Sequence, residues 1–172
     1  MSDTSQILEL DTSFYSGRLD RDSYYIIMAG LVSMRGTCKK QKVGCVLVNK
    51  GRTISMGYNS SHPNTPHCTF DQDGCILNKD GRCRKTLHSE VSAVLELKDN
   101  YKDKGFTAYI THHPCSHCYQ VLCGAGCNRI VYRHPPYYPN DDENEILNRL
   151  IREIGVVPTQ AVLSNDKITL NI

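Results

Sequence analysis

The residues able to do chemistry fall into two short runs, His88-Ser89-Glu90 and Pro114-Cys115-Ser116-His117-Cys118. One imidazole and two thiolates supply three protein ligands to a Zn²⁺ ion and leave its fourth tetrahedral position open to water. Each run stands at the start of an expected helix, where the dipole and the nearby metal favour thiolate over thiol. Glu90 lies two residues past His88, close to the metal without being needed as a ligand. A carboxylate so placed can take a proton from activated water and pass it to a substrate. The competing assignment is a purely structural site completed by Cys123 or Cys127, which leaves Glu90 with no role. Those two cysteines are more simply small buried side chains.

A lone C-x-x-C is shared by redox motifs and structural zinc sites. An H-x-E pair followed by P-C-x-x-C is far more specific, being the signature of zinc-dependent nucleobase deaminases. Cys38, Cys68, Cys75 and Cys83 remain, three of them inside the turn-rich segment Ser60–Leu87. A structureless insertion of that length is improbable in a compact domain unless something holds it. A second, structural zinc on these four thiolates would hold it, with His62 and His67 as substitute ligands. The alternative is a set of buried free thiols.

The elements that must position these groups follow from periodicity and turn chemistry. Tyr24 to Met34 repeats apolar residues about every 3.6 positions, predicting a helix from Arg21 to near Gly36. Val43–Val48 and Thr53–Asn59 read as strands joined by the turn Asn49-Lys50-Gly51-Arg52. A helix over His88–Lys98, a strand over Thr107–Thr111 and a helix over Ser116–Gly124 follow. The chain closes with a strand at Asn128–Arg133, a helix at Asp141–Ile154 and an extended segment at Val156–Leu163. This order predicts an α/β fold, one sheet flanked by helices. Residues 1–20 read as a flexible leader and 21–172 as a single domain with its Cys-rich insertion at about 60–87.

Composition narrows the function. The net charge of +2, from 20 basic and 18 acidic residues, argues against a long nucleic acid as substrate. A small anionic substrate needs only one or two cations; Arg35, Lys39, Lys40 and Lys42 are candidates, though such a run is usually a solvated face. No run approaches the roughly 20 apolar residues of a membrane helix. The polar, acidic start Met1–Leu10 lacks signal-peptide character, so a reducing cytoplasm is expected. There, nine cysteines point to metal ligation or catalysis before disulfides. The acidic stretch Asp141-Asp142-Glu143 reads as the amino-terminal cap region of the last helix.

From about Tyr24 to Gly155 the chain resembles the deoxycytidylate (dCMP) deaminases, including late-competence and phage members. The likeness is carried by Arg35-Gly36-Thr37-Cys38, Lys42-Val43-Gly44, Gly57-Tyr58-Asn59, His67-Cys68, Gly74-Cys75, Arg82-Cys83, Thr86 to Glu90 and Thr111 to Cys118. It implies a three-layer α/β/α cytidine-deaminase-like fold with a mixed, about five-stranded central sheet. It implies hydrolytic deamination of dCMP to dUMP, with His88, Cys115 and Cys118 on the catalytic zinc and Glu90 moving protons. Asn59 matches the family's sugar-contacting asparagine. The His112-His113 pair borders Pro114: its side chains either line the pocket or have no special role, and the backbone around His113 is placed to meet the base. A pocket tyrosine after the fourth strand falls on Tyr137 or Tyr138. In some members a second zinc joins positions matching Cys38 and Cys68. A homo-oligomer, in the family a hexamer, is also implied.

The chain departs from the family pattern at Ser89 and Ser92 (H-A-E-x-N-A in the family) and at Ser60 (G-Y-N-G). Ser60 stands near where many members respond to dCTP and dTTP, and it weakens the expectation of those effectors. Rival readings are a deaminase of dCTP or 5-modified dCMP, a base deaminase on nucleic acid, and a non-catalytic, zinc-stabilised nucleotide-binding module.

Overall fold

The computed structural model describes residues 18–38, 40–68, 75–79, 83–101, 104–136 and 141–163. Helix α1 spans Arg21–Ser33 and begins where Asp20 accepts a 2.9 Å hydrogen bond from the Ser23 N–H. It stops short of Gly36 because Met34 and Arg35 donate to carbonyls only three residues back, tightening the last turn. Strands β1 (Gly44–Asn49) and β2 (Arg52–Tyr58) form an antiparallel hairpin pairing Asn49 with Arg52. Its two-residue loop, Lys50 (φ 49°) and Gly51 (φ 75°), has the left-handed geometry that matches strand twist.

Helix α2 covers only Ser89–Leu95, with His88 extended at its N-cap. The predicted continuation to Lys98 fails because the chain tightens after Glu96 and turns Leu97 into the core, 5% exposed. Strand β3 (Phe106–His112), helix α3 (Ser116–Gly124), strand β4 (Cys127–His134) and helix α4 (Asp141–Ile154) agree with expectation. Strand β5 shrinks to Thr159–Gln160, since Pro158 has no N–H for the ladder.

The sheet order is β2-β1-β3-β4-β5, antiparallel from β2 to β3 and parallel from β3 to β5. Strand alternation sends Cys45, Leu47, Ala108, Ile110 and Ile130 into a core shared with α2, α3 and α4. Val46, Val48, Tyr109 and Val131 face the other way and pack under Tyr25, Ile26 and Ala29 of α1. The result is three layers. Gly57 lets α2 lie directly on β2: a Cβ there would sit 2.4 Å from the Ser89 carbonyl oxygen and the Ala93 nitrogen. That close approach seats the start of α2, and with it His88 and Glu90, at the end of the sheet where β3 finishes.

On the α1 face, Arg129 of β4 forks onto Asp22 at 2.8 and 2.6 Å, and the Tyr109 hydroxyl donates to the same carboxylate at 2.9 Å. The Arg129 bonds hold the Asp22 carboxyl below its ordinary range. A depressed folded-state pKa stabilises the fold above the unfolded value, and the contribution disappears as pH falls through the folded one. Asp22→Asn should therefore cost about 0.5–1 kcal/mol near neutrality, limited by exposure, with the gap closing below about pH 4. Urea unfolding of both proteins across pH checks this; a gap unchanged at pH 3 would remove the ion pair from the account.

Candidate metal centre and pocket

The two chemical runs meet. His88 Nδ1 lies 3.7 Å from Cys115 Sγ and 3.3 Å from Cys118 Sγ, and all three donor atoms lie within 4.8 Å of one another. Tetrahedral bonds of about 2.0 Å to nitrogen and 2.3 Å to sulfur would hold N and S roughly 3.5 Å apart. The observed spacings bracket that value, so these residues fit a zinc ion. Cys123 and Cys127 are not in this group: the Cys127 thiol donates to the Arg129 carbonyl at 3.1 Å.

Local structure explains the convergence. Cys115 is the N-cap of α3 and accepts from the Cys118 N–H at 3.5 Å, so the C-x-x-C spacing places both sulfurs on the helix's first turn. His88 holds the same N-cap place on α2. The Cys118 and His88 hydrogen bonds pull the Cys115 thiol down to about 4, against burial. Its bond to Cys115 raises His88 to about 9, and Cys118, donating to Cys115 and buried, is pushed well above its usual value. One negative charge is thus shared by two sulfurs, and a cation must displace the remaining protons.

Glu90 is 4% exposed. Burial raises its pKa, the His88 charge opposes the rise, and the Ser89 hydroxyl donates to its Oε2 at 2.8 Å. A buried carboxyl poised above its usual range suits proton transfer. It opens onto a cavity of about 240 Å³ that also reaches Asn59, Lys40, His112 and His113. His113 stands edge-on to Tyr132 at 4.6 Å and gives its backbone N–H to the His134 carbonyl. Burial, then the neighbouring His134, lowers His112 to about 4, leaving it uncharged at neutral pH.

Asn59 lines this cavity but already has structural work. Its Oδ1 accepts from the Val43 N–H at 2.8 Å and its Nδ2 donates to the Gln41 carbonyl at 2.7 Å. Of the basic run, Lys40 reaches the cavity, whereas Lys42 donates to the Met34 carbonyl and Lys39 lies outside the described residues. Tyr137 and Tyr138 also lie outside them.

Cys68, Cys75 and Cys83 form a second group of donors within 4.8 Å of one another. Cys38 is not part of it among the described residues and lines the pocket instead; His62 and His67 do not join it either. The Thr86 hydroxyl stands 3.6 Å from Cys83 Sγ and 3.8 Å from Cys68 Sγ. Burial opposes ionisation of Cys83, but Thr86 and the backbone of Lys85, Thr86 and Ile76 outweigh it and bring the thiol to about 7. Ser60 pairs with Leu87 through two backbone hydrogen bonds of 3.1 and 2.8 Å, closing the insertion next to His88.

Sequence reasoning missed the contribution of α4. Asn144 and Leu147 wall the cavity, and Glu143, read as part of a cap for its own helix, accepts from the Ser116 N–H of α3 at 2.6 Å. That bond joins segments distant in sequence, and no local signal announces it.

A mixed five-stranded sheet with helices on both faces and two helix starts converging on a Cys₂His group is the cytidine-deaminase-like fold. Residues 19–134 match the family described as the cytidine and deoxycytidylate deaminase zinc-binding region, and the chain belongs to that family. It is 32% identical over 116 residues to ComE operon protein 2 of Bacillus subtilis (strain 168), covering 67% of this chain and 60% of that protein. It is 32% identical over 144 residues to the deoxycytidylate deaminase of Saccharomyces cerevisiae, covering 81% of this chain and 44% of that one. The chain therefore spans about half the length of these curated relatives. In fold it is similar to a dCMP deaminase from cyanophage S-TIM5 solved with dCMP and dUMP, with a TM-score of 0.64 and 24% identity over 84% of this chain and 99% of that one.

Asn59→Ala should leave the Val43 N–H and the Gln41 carbonyl without partners and cost about 1–3 kcal/mol in chemical denaturation. A variant as stable as the parent would show that these bonds contribute nothing beyond what water supplies.

Proposed function

We propose that this chain hydrolyses dCMP to dUMP and ammonia. The observation that carries the reading is the buried Glu90 lining one cavity with His88 and Cys115, which form a donor group with Cys118. The relatives named deoxycytidylate deaminase favour the deoxynucleotide over other cytosine compounds. His88, Cys115 and Cys118 would hold the zinc, which when bound supplies Lewis-acid activation of water near neutral pH.

Glu90 would take one proton from the attacking water and deliver it to cytosine N3 as the oxygen adds to C4. It then moves the second proton from the new C4 oxygen to the amine, the C4–N bond breaks, and ammonia leaves. The buried Ser89 hydroxyl holds the Glu90 carboxylate in place between these transfers. Neutral His112 and His113 line the cavity without adding a cation near the protonated base. Asn59 is assigned the sugar, and Lys40 is the described cation closest in role to a phosphate partner.

Cys68, Cys75 and Cys83 would hold a second, structural zinc. The reading further takes residues 21–172 as one deaminase domain and the chain as a cytoplasmic homo-oligomer. Reducing conditions there keep thiolate ligands available. Met56 of β2 and Leu95 of α2, exposed by 52% and 69%, supply apolar surface that supports association.

Glu90→Gln should keep its zinc while losing turnover by about 10²–10⁴-fold or more. Loss of cytosine absorbance across dCMP, dCTP, 5-methyl-dCMP and cytidine reads the activity; a near-normal rate in the variant would remove Glu90 from the chemistry. Metal analysis of the purified chain should give two zinc ions. Cys83→Ser should lose one of them, together with order in the insertion, and a parent holding a single zinc would overturn the structural site.

A further inference from the structure

We infer that Glu143 of α4 is a positioning residue for the metal centre, holding the first turn of α3 so that Cys115 and Cys118 present their sulfurs together. The inference rests on the reading of His88, Cys115 and Cys118 as metal donors. The first N–H groups of a helix have no partner inside it. Here Cys118 N–H goes to Cys115 Sγ at 3.5 Å, and only at Tyr119 does the helix's own ladder begin, with a 2.9 Å bond to the Cys115 carbonyl. Ser116 N–H goes outside the helix, to Glu143 Oε1 at 2.6 Å.

That N–H belongs to the peptide unit between Cys115 and Ser116. Fixing this plane fixes the Cys115 ψ of 167° and hence the direction in which its side chain leaves the backbone. The bond is short and gives an acceptor to a helix N–H that has none inside α3. Glu143 is held at that distance by its own helix, which Leu147 pins to the core at 4% exposure. Glu143 lies outside the family-matched residues 19–134, so the chain's fourth helix supplies this support. A carboxylate does nothing to favour neighbouring thiolates by charge. Its contribution is therefore geometric, and a neutral acceptor of the same length can replace it.

The test is zinc affinity, measured on the full chain by chelator competition, with the Co²⁺-substituted absorption spectrum as a readout of ligand geometry. The metal lost in Cys115→Ala defines the site being read. Glu143→Ala should weaken zinc binding about 10–100-fold and alter the Co²⁺ spectrum, as loss of an outer support does. Glu143→Gln should stay near the parent. Leu150→Ala, which removes core packing from the same helix, should lower the melting temperature and leave zinc affinity unchanged. Parent-like affinity in Glu143→Ala, or an equal loss in Leu150→Ala, overturns the inference. Should the alanine variant not fold, Glu143→Asp, which keeps the charge but draws the oxygen back, must bind more weakly than Glu143→Gln; the reverse order overturns it. Unchanged zinc content in Cys115→Ala would instead overturn the metal-donor reading beneath it.

Discussion

Everything chemical in this chain depends on two helix starts, 27 residues apart from His88 to Cys115, being brought to one point at donor spacing. A tetrahedral ion tolerates only a few tenths of an ångström in its ligand distances, whereas helices pack with far more freedom than that. The fold removes the freedom from both sides. Gly57 lets α2 settle against β2 with no side chain between them, and β3 runs directly into Pro114 and the Cys115 cap of α3. Core contacts along Ala93, Ile110, Tyr119 and Leu122 then lock the two helices to the same sheet face.

The insertion between β2 and α2 is tied to this point. Its mouth is closed by the Ser60–Leu87 pair, one residue before His88, and its thiols share the Thr86 hydroxyl one residue earlier. Thr86 and Cys83 also line the cavity. A disordered insertion would leave His88 anchored only through α2. A metal held by the three converging thiols would therefore steady His88 as well, which would give the Cys-rich segment a mechanical role beyond its own folding.

Much of this was legible in the sequence because local rules govern it. The C-x-x-C spacing is itself a helix-cap geometry, and the turn Lys50-Gly51 announces its hairpin. Helices α3 and α4 span the residues predicted for them, and α3 starts at its Cys115 cap. What escaped was tertiary. Burial of Leu97 shortened α2, Pro158 cut β5 down, and Glu143 left its own helix terminus to serve another. The Cys38 assignment came from likeness and position along the chain. Only a three-dimensional placement could separate it from the three thiols that do converge among the described residues.

The charge balance of the site follows from that same convergence. Two sulfurs and the Glu90 carboxylate crowd one buried corner, and without compensation they cannot all ionise: Cys118 and Glu90 are both pushed upward. A dication among the donors offsets the thiolates and lowers the cost of an ionised Glu90. Its protonation and metal occupancy are therefore thermodynamically linked. This linkage explains why a residue that need not touch the metal must still be buried beside it. In water the same carboxylate would stay ionised at neutral pH and give up a captured proton only to solvent. Burial and a neighbouring positive centre act on this carboxyl in opposite directions, and the two-residue spacing from His88 is what exposes Glu90 to both.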